Sequence, residues 1–295
     1  MKKVIYTLFS IALLATGCTD LDPTLEQDKI LGESINSVED VRSVLNSAYN
    51  HMSSREYYGR DVIIFGEVRS DNAYSDANSN RFVTVAKMDM NRTDAYASDT
   101  WTQINKTIVS TNVVINADRA KITGDVTTLN HYLGEAYAIR ALAHFDLLKL
   151  YGQQYQESDR TKALGVPYTK VFGKAIYPAR ETVQRTYELI MEDLNAAISN
   201  LSASKDDASA HYITSFAAYA LKARIALFFE DWATARDAAK YVIDHKGSRL
   251  DIAAPDDFAK TFTTDNTKNQ IFSIANNDSD NTGVNSLGNI YFGSY

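Results

Sequence analysis

Cysteine occurs once in these 295 residues, at Cys18, so no disulfide can form within one chain. Proline is nearly absent, with four residues, and glycine is sparse at thirteen, which excludes fibrous and low-complexity classes. No basic stripe or block of like charge occurs and the net charge is −7, so nucleic acid and anionic lipid surfaces are excluded as partners of the polypeptide itself. There is no His-Glu-x-x-His, no Gly-x-Ser-x-Gly, no phosphate-cradling glycine loop and no dinucleotide fingerprint, and the five histidines lack metal-ligand spacing. A non-enzymatic chain without metal or cofactor is therefore expected. A carboxylate pair needs no motif, and Glu67, Asp71 and Asp76 keep a hydrolase reading open.

What is present begins with an address. Lys2 and Lys3 precede an apolar stretch, Val4 to Ala15, of about a dozen residues, too short to span roughly 30 Å of hydrocarbon. Thr16 and Gly17 then lead into Cys18, a pattern that resembles the lipobox of bacterial lipoproteins, with Ala15 where leucine is usual. This predicts a signal peptide over 1–17, a lipid-bearing Cys18 and a tether over 18–36; the alternative is a secretory signal with an incidental thiol. Removing 1–17 takes away two lysines and no acids, so the net charge falls from −7 to −9.

Apolar residues make 45% of the chain, enough for a large core, and their spacing is helical almost throughout. Ser37 with Asp40 reads as a capping box, followed by Val41, Leu45, Ala48 and Met52 on one face. From Tyr57 to about Ser98 the period fails. A β-like run, Val62-Ile63-Ile64-Phe65, leads into a polar stretch from Arg69 to Asn78, and so long a loop suggests function. Asp99 then caps a helix through Trp101, Ile104, Ile108 and Ile115. The longest helix runs from Val126 to Tyr151, with an apolar face broad enough for several neighbours, and stops at Gly152, where a glycine can turn left-handed. Thr182 caps the next, with Val183, Tyr187, Ile190, Leu194, Ala197 and Leu201 in line. Tyr212–Glu230 and Ala233–His245 read as an antiparallel pair of tetratricopeptide type, meeting through Ala217, Ala220, Ala223, Ala226 and Ala235, Ala239, Val242. After Gly247 only Gln270–Ile274 reads as a strand.

Several of these segments resemble the SusD/RagB family of Bacteroidetes outer-membrane lipoproteins. Glu135-Ala136 through Arg140-Ala141, Phe145, Leu147 and Tyr151-Gly152 look like its E-A-x-x-x-R-A-x-x-x-F-x-L-x-x-x-Y-G helix. Trp101–Ile115, Gly165-Val166-Pro167-Tyr168, Pro178–Val183, Tyr187–Ala197 and Ala217–Ala235 resemble further family segments. The resemblance implies an all-α, tetratricopeptide-like scaffold over 37–295 with long ligand-binding loops, corresponding to the amino-terminal part of the family fold. It also implies a nutrient-binding, non-enzymatic lid for a SusC-type TonB-dependent transporter, lipid-anchored on Cys18 at the extracellular side of the outer membrane. Asp20 and Asp22 are similar to the family's export signal.

The ligand so implied is a glycan or an oligopeptide. Eighteen tyrosines and twelve phenylalanines suit either, since a ring can stack while a hydroxyl bonds. Asp71, Asn72, Tyr74, Arg81 and Tyr96, in the aperiodic region, are the candidate ligand contacts. Trp101 sits on a regular stripe and is expected in the core. The competing readings are an envelope scaffold of tetratricopeptide type without nutrient binding, and a peptide-binding, RagB-like member.

Overall fold

The structure is a computed structural model that describes residues 35–77, 79–154, 159–173, 177–247, 250–265, 267–277 and 280–292. The signal peptide, most of the tether and Cys18 lie outside them. Among the described residues there are nine α-helices and no strand: α1 (Val38–Ser53), α2 (Asp61–Arg69), α3 (Val83–Ala86), α4 (Ala95–Ile115), α5 (Val126–Tyr151), α6 (Val183–Asn200), α7 (Ser215–Phe228), α8 (Trp232–His245) and α9 (Leu287–Phe292).

Local chemistry sets the helix starts. The Ser37 hydroxyl accepts from the Asp40 N–H at 3.1 Å while the Asp40 carboxylate accepts from the Ser37 N–H at 3.2 Å, which satisfies two orphan donors at once. Asp125, Thr182, Thr214 and Asp231 cap α5 to α8 through single bonds to the third residue on, at 3.0 to 3.2 Å. In α4 the cap is Asp94, not Asp99. Its first turn carries Tyr96 toward a separate cluster, so the stripe built on Trp101 and Ile104 begins one turn inside the helix.

Helices α1, α4, α5, α6, α7 and α8 pack in succession, α1 on α4, α4 on α5, and so on to α8, in the manner of a helical repeat. The core they share includes Val41, Leu45, Ile104, Ile108, Leu133, Ile139, Leu147, Ile190, Leu194 and Ile225. At the centre lies α5, nearly all of whose middle is buried. A Cβ on Gly134 would stand 2.9 Å from both the Ala197 oxygen and the Leu201 nitrogen, so α5 and α6 approach backbone to backbone there. Gly152 ends α5 for a different reason than the one expected. Its φ of −79° is ordinary, but a Cβ would fall 2.6 Å from the Leu148 oxygen.

Two expected strands are absent. Val62–Phe65 is the body of α2, where Ile64, Phe65 and Val68 turn one face onto Phe82 and Val85 in a small second core. A four-residue apolar run fits either period, and here the helical partners decide. Gln270–Ile274 belongs to no ladder. In the α7/α8 pair Ala217, Ala226, Ala235 and Ala238 are buried, whereas Ala220, Ala223 and Ala239 are half-buried, and α7 is shorter than expected at both ends. Trp101 packs on the core edge-on to Tyr151, with ring centroids 5.0 Å apart.

Candidate functional site

Most charged groups on α5 staple the scaffold. Arg140 donates from Nε and Nη2 to the two Asp193 oxygens, both at 2.7 Å, and from Nη1 to Asn112 Oδ1 at 2.8 Å. Tyr168 donates to Asp193 Oδ2 at 2.6 Å. Beneath it the His144 ring stacks at 3.7 Å, accepts the Thr169 N–H at Nε2 and donates from Nδ1 to the Arg140 oxygen. Burial pushes this imidazole down to about 3. The group therefore pins the 163–171 connector to α4, α5 and α6. Five residues before Arg140 on α5, Glu135 takes Arg42 at 3.1 Å and the Tyr49 hydroxyl, and burial pushes its carboxyl up to about 7 despite both. Toward the end of α5, Asp146 Oδ2 accepts from Tyr57 and Tyr58, each at 2.6 Å, and Lys149 Nζ stands 2.8 Å from Oδ1 outside hydrogen-bond geometry. Burial, reinforced by that carboxylate, drives both phenols well above their usual range. Glu135, Arg140, His144 and Asp146 are all buried.

The five candidate contacts divide into two groups. Tyr96 is an internal strut: its hydroxyl accepts the Phe82 N–H at 3.2 Å and its ring stacks on Phe82 at 4.5 Å. Arg81 ties the loop to the 283–285 turn, donating to the Val284 oxygen at 3.1 Å and to Asn285 Oδ1 at 3.3 Å. Asp71, Asn72 and Tyr74 are exposed at the loop's tip, Tyr74 at 86%. Asp71, Ala77, Asn80 and Phe82 all hold positive φ between 56° and 62°. Asn and Asp tolerate this region, while Ala and Phe store strain in it. Phe82 is kept there by burial between Tyr96 and Arg60, whose guanidinium sits 5.2 Å from the ring. A rigid base thus presents a polar, aromatic tip.

A second feature escapes the sequence. A cleft of about 980 Å³ opens between the α1/α2 turn, α5, α7 and the 269–287 segment. Leu142, Leu221 and Phe272 give it apolar surface, while Arg224, Asn276 and Asn281 are among its polar walls. Only the run of amides at Asn269, Gln270, Asn276 and Asn277 could have signalled it. Among the described residues no group of three or more His, Cys, Asp or Glu could hold a metal, and no helix is long and apolar enough to cross a membrane.

Comparison with known proteins agrees with this architecture. The family model described as starch-binding associating with outer membrane matches residues 21–227. A SusD-like protein of Bacteroides ovatus is 27% identical over 236 residues, covering 79% of this chain and 40% of that protein. A solved SusD superfamily structure from Bacteroides vulgatus superposes with a TM-score of 0.78 at 26% identity, over 86% of this chain and 58% of that one. Another, from Bacteroides thetaiotaomicron, gives 0.75 at 26%, over 84% and 55%. The chain thus spans roughly half the length of the relatives it matches. With a match over more than half its length and the same helical scaffold, the chain belongs to the SusD-like family.

Proposed function

We propose that this protein is a surface lipoprotein that binds a nutrient glycan and delivers it, as a lid, to a SusC-type TonB-dependent transporter. The observation that carries the reading is the match of residues 21–227 to a starch-binding, outer-membrane-associated family. The strained, well-anchored loop supports it by offering Asp71, Asn72 and Tyr74 at a tip held by Arg81 and Tyr96. A sugar face stacks on Tyr74, and the carboxylate and amide take its hydroxyls. The role is binding without catalysis.

Calorimetry against a panel of plant and host glycans tests the reading, and a blank panel would sink it. For a glycan that binds, Tyr74→Ala should weaken affinity about tenfold, the loss of roughly 1.4 kcal/mol of stacking and contact. The unfolding midpoint should not move, because the ring is almost fully exposed. Cys18 is the proposed lipid site, with Asp20 and Asp22 directing the protein outward. Cys18→Ala should move the protein to the soluble fraction in cells that lack the transporter; complete membrane retention there would rule the anchor out.

A further inference from the structure

The loop tip is wired to a turn more than two hundred residues away in sequence. Ser75, next to Tyr74, donates its hydroxyl to the Arg81 oxygen at 2.7 Å. The Arg81 guanidinium in turn donates from Nη1 to the Val284 oxygen at 3.1 Å and from Nη2 to Asn285 Oδ1 at 3.3 Å. Arg60, the residue before α2, donates from Nη1 to the same Oδ1, also at 3.3 Å. One amide oxygen therefore joins the start of α2, the loop and the 283–285 turn. That turn is built to hold the oxygen still. Gly283 takes a φ of +58°, a left-handed conformation open to glycine, and its N–H bonds Asn281 Oδ1 at 2.8 Å. The Asn285 N–H bonds the Thr282 oxygen at 3.1 Å, and the Ser286 N–H bonds the Gly283 oxygen at 2.9 Å. Just beyond, Leu287 and Ile290 pack on the small second core. The charges at this junction do not balance. Arg60 has Asp61 at 2.6 Å, whereas among the described residues Arg81 has no carboxylate within ion-pair distance. Two guanidinium groups thus share one neutral oxygen, a weaker acceptor than a carboxylate.

We infer that Asn285 is the positioning residue of the ligand loop: its side-chain oxygen holds Arg81, and through Ser75 the segment that bears Tyr74, in the arrangement that takes ligand. The effect on affinity rests on the glycan-binding reading, while the hold on the loop stands on the geometry alone. A loop ordered for only a fraction of the time binds with its affinity cut by that fraction. A residue that never touches the ligand can therefore set how tightly it is held.

Two variants of the protein test this by amide hydrogen exchange and calorimetry. Asn285→Leu keeps the size and removes the acceptor. The Asn80 and Phe82 amides, which bond the Ala77 oxygen and the Tyr96 hydroxyl, should then exchange at least about tenfold faster while the urea midpoint holds. Asn285→Asp keeps an acceptor and supplies the missing anion, so the same amides should exchange at least about threefold slower than in wild type. For a glycan that binds, Asn285→Leu should weaken affinity about fivefold, and Asn285→Asp should match or exceed wild type. In a Tyr74→Ala background Asn285→Leu should cost less than about twofold, because the ring it positions is gone. The inference is overturned if the three proteins exchange alike at Asn80 and Phe82, if Asn285→Asp behaves as Asn285→Leu does, or if the loss of affinity persists in full without Tyr74. A blank glycan panel overturns the glycan reading and the effect on affinity together, and the exchange rates still decide the hold on the loop.

Discussion

Replacing Arg140 with alanine should cost the fold about 3–5 kcal/mol, read as a drop in the urea midpoint. The guanidinium is buried and donates two bonds to Asp193, one to Asn112 and a longer one to the Lys170 oxygen, with the Tyr137 ring 5.2 Å away. Burial works against its charge, and the Asp193 carboxylate outweighs burial, so its pKa rises. Alanine would leave Asp193 as a buried anion with only the Tyr168 hydroxyl for company, and Asn112 Oδ1 without its donor. Set against the roughly 5–15 kcal/mol that keeps a domain folded, this is a large share. Arg140→Met combined with Asp193→Leu removes both charges and should recover most of the loss, since a buried ion pair is dear to break but cheap to replace. A single variant that loses less than about 1 kcal/mol would mean that the pair is solvated in a way the geometry does not show.

The same residues mark what a sequence can and cannot reveal. α1, α5 and α6 are legible to within a residue or two because caps and period agree: Ser37, Asp125 and Thr182 each precede an unbroken stripe. Arg140 stands out as a charge on an apolar face, but its partner lies 53 residues away on α6, and no local pattern names it. α2 misleads because Val62–Phe65 is shorter than the span that separates a helical period from a strand period. The loop's position in the fold is legible from its loss of period. That Arg81 and Tyr96 brace it, while Tyr74 is exposed, depends on contacts with residues 284–285 and with Phe82. The cleft is invisible for the same reason, since its walls, from Ser53 to Leu287, are more than two hundred residues apart in sequence.

Stability should depend on pH through two buried groups of opposite sign. Glu135 holds its proton up to about pH 7 when folded, against an ordinary value of 4.5. Between those values the native state binds the extra proton, so stability falls as pH rises, by about 3 kcal/mol in all. His144 is displaced from 6.5 down to about 3, so there the unfolded state binds the extra proton and stability rises with pH, by about 4–5 kcal/mol. From pH 4.5 to 6.5 the two windows overlap and the slopes largely cancel, which hides both in the wild-type curve. Glu135→Gln exposes the first. Glutamine mimics the protonated acid and can still accept from Tyr49, so the variant should match wild type near pH 4.5 and gain about 3 kcal/mol on it by pH 7.5. Arg42, Tyr49, His131 and Asp207 face the carboxyl in both proteins, so their own titration drops out of the difference to first order. A difference between the two urea midpoints that stays flat across this range would show that Glu135 is ionised throughout. Its pairing with Arg42 would then outweigh burial in the fold.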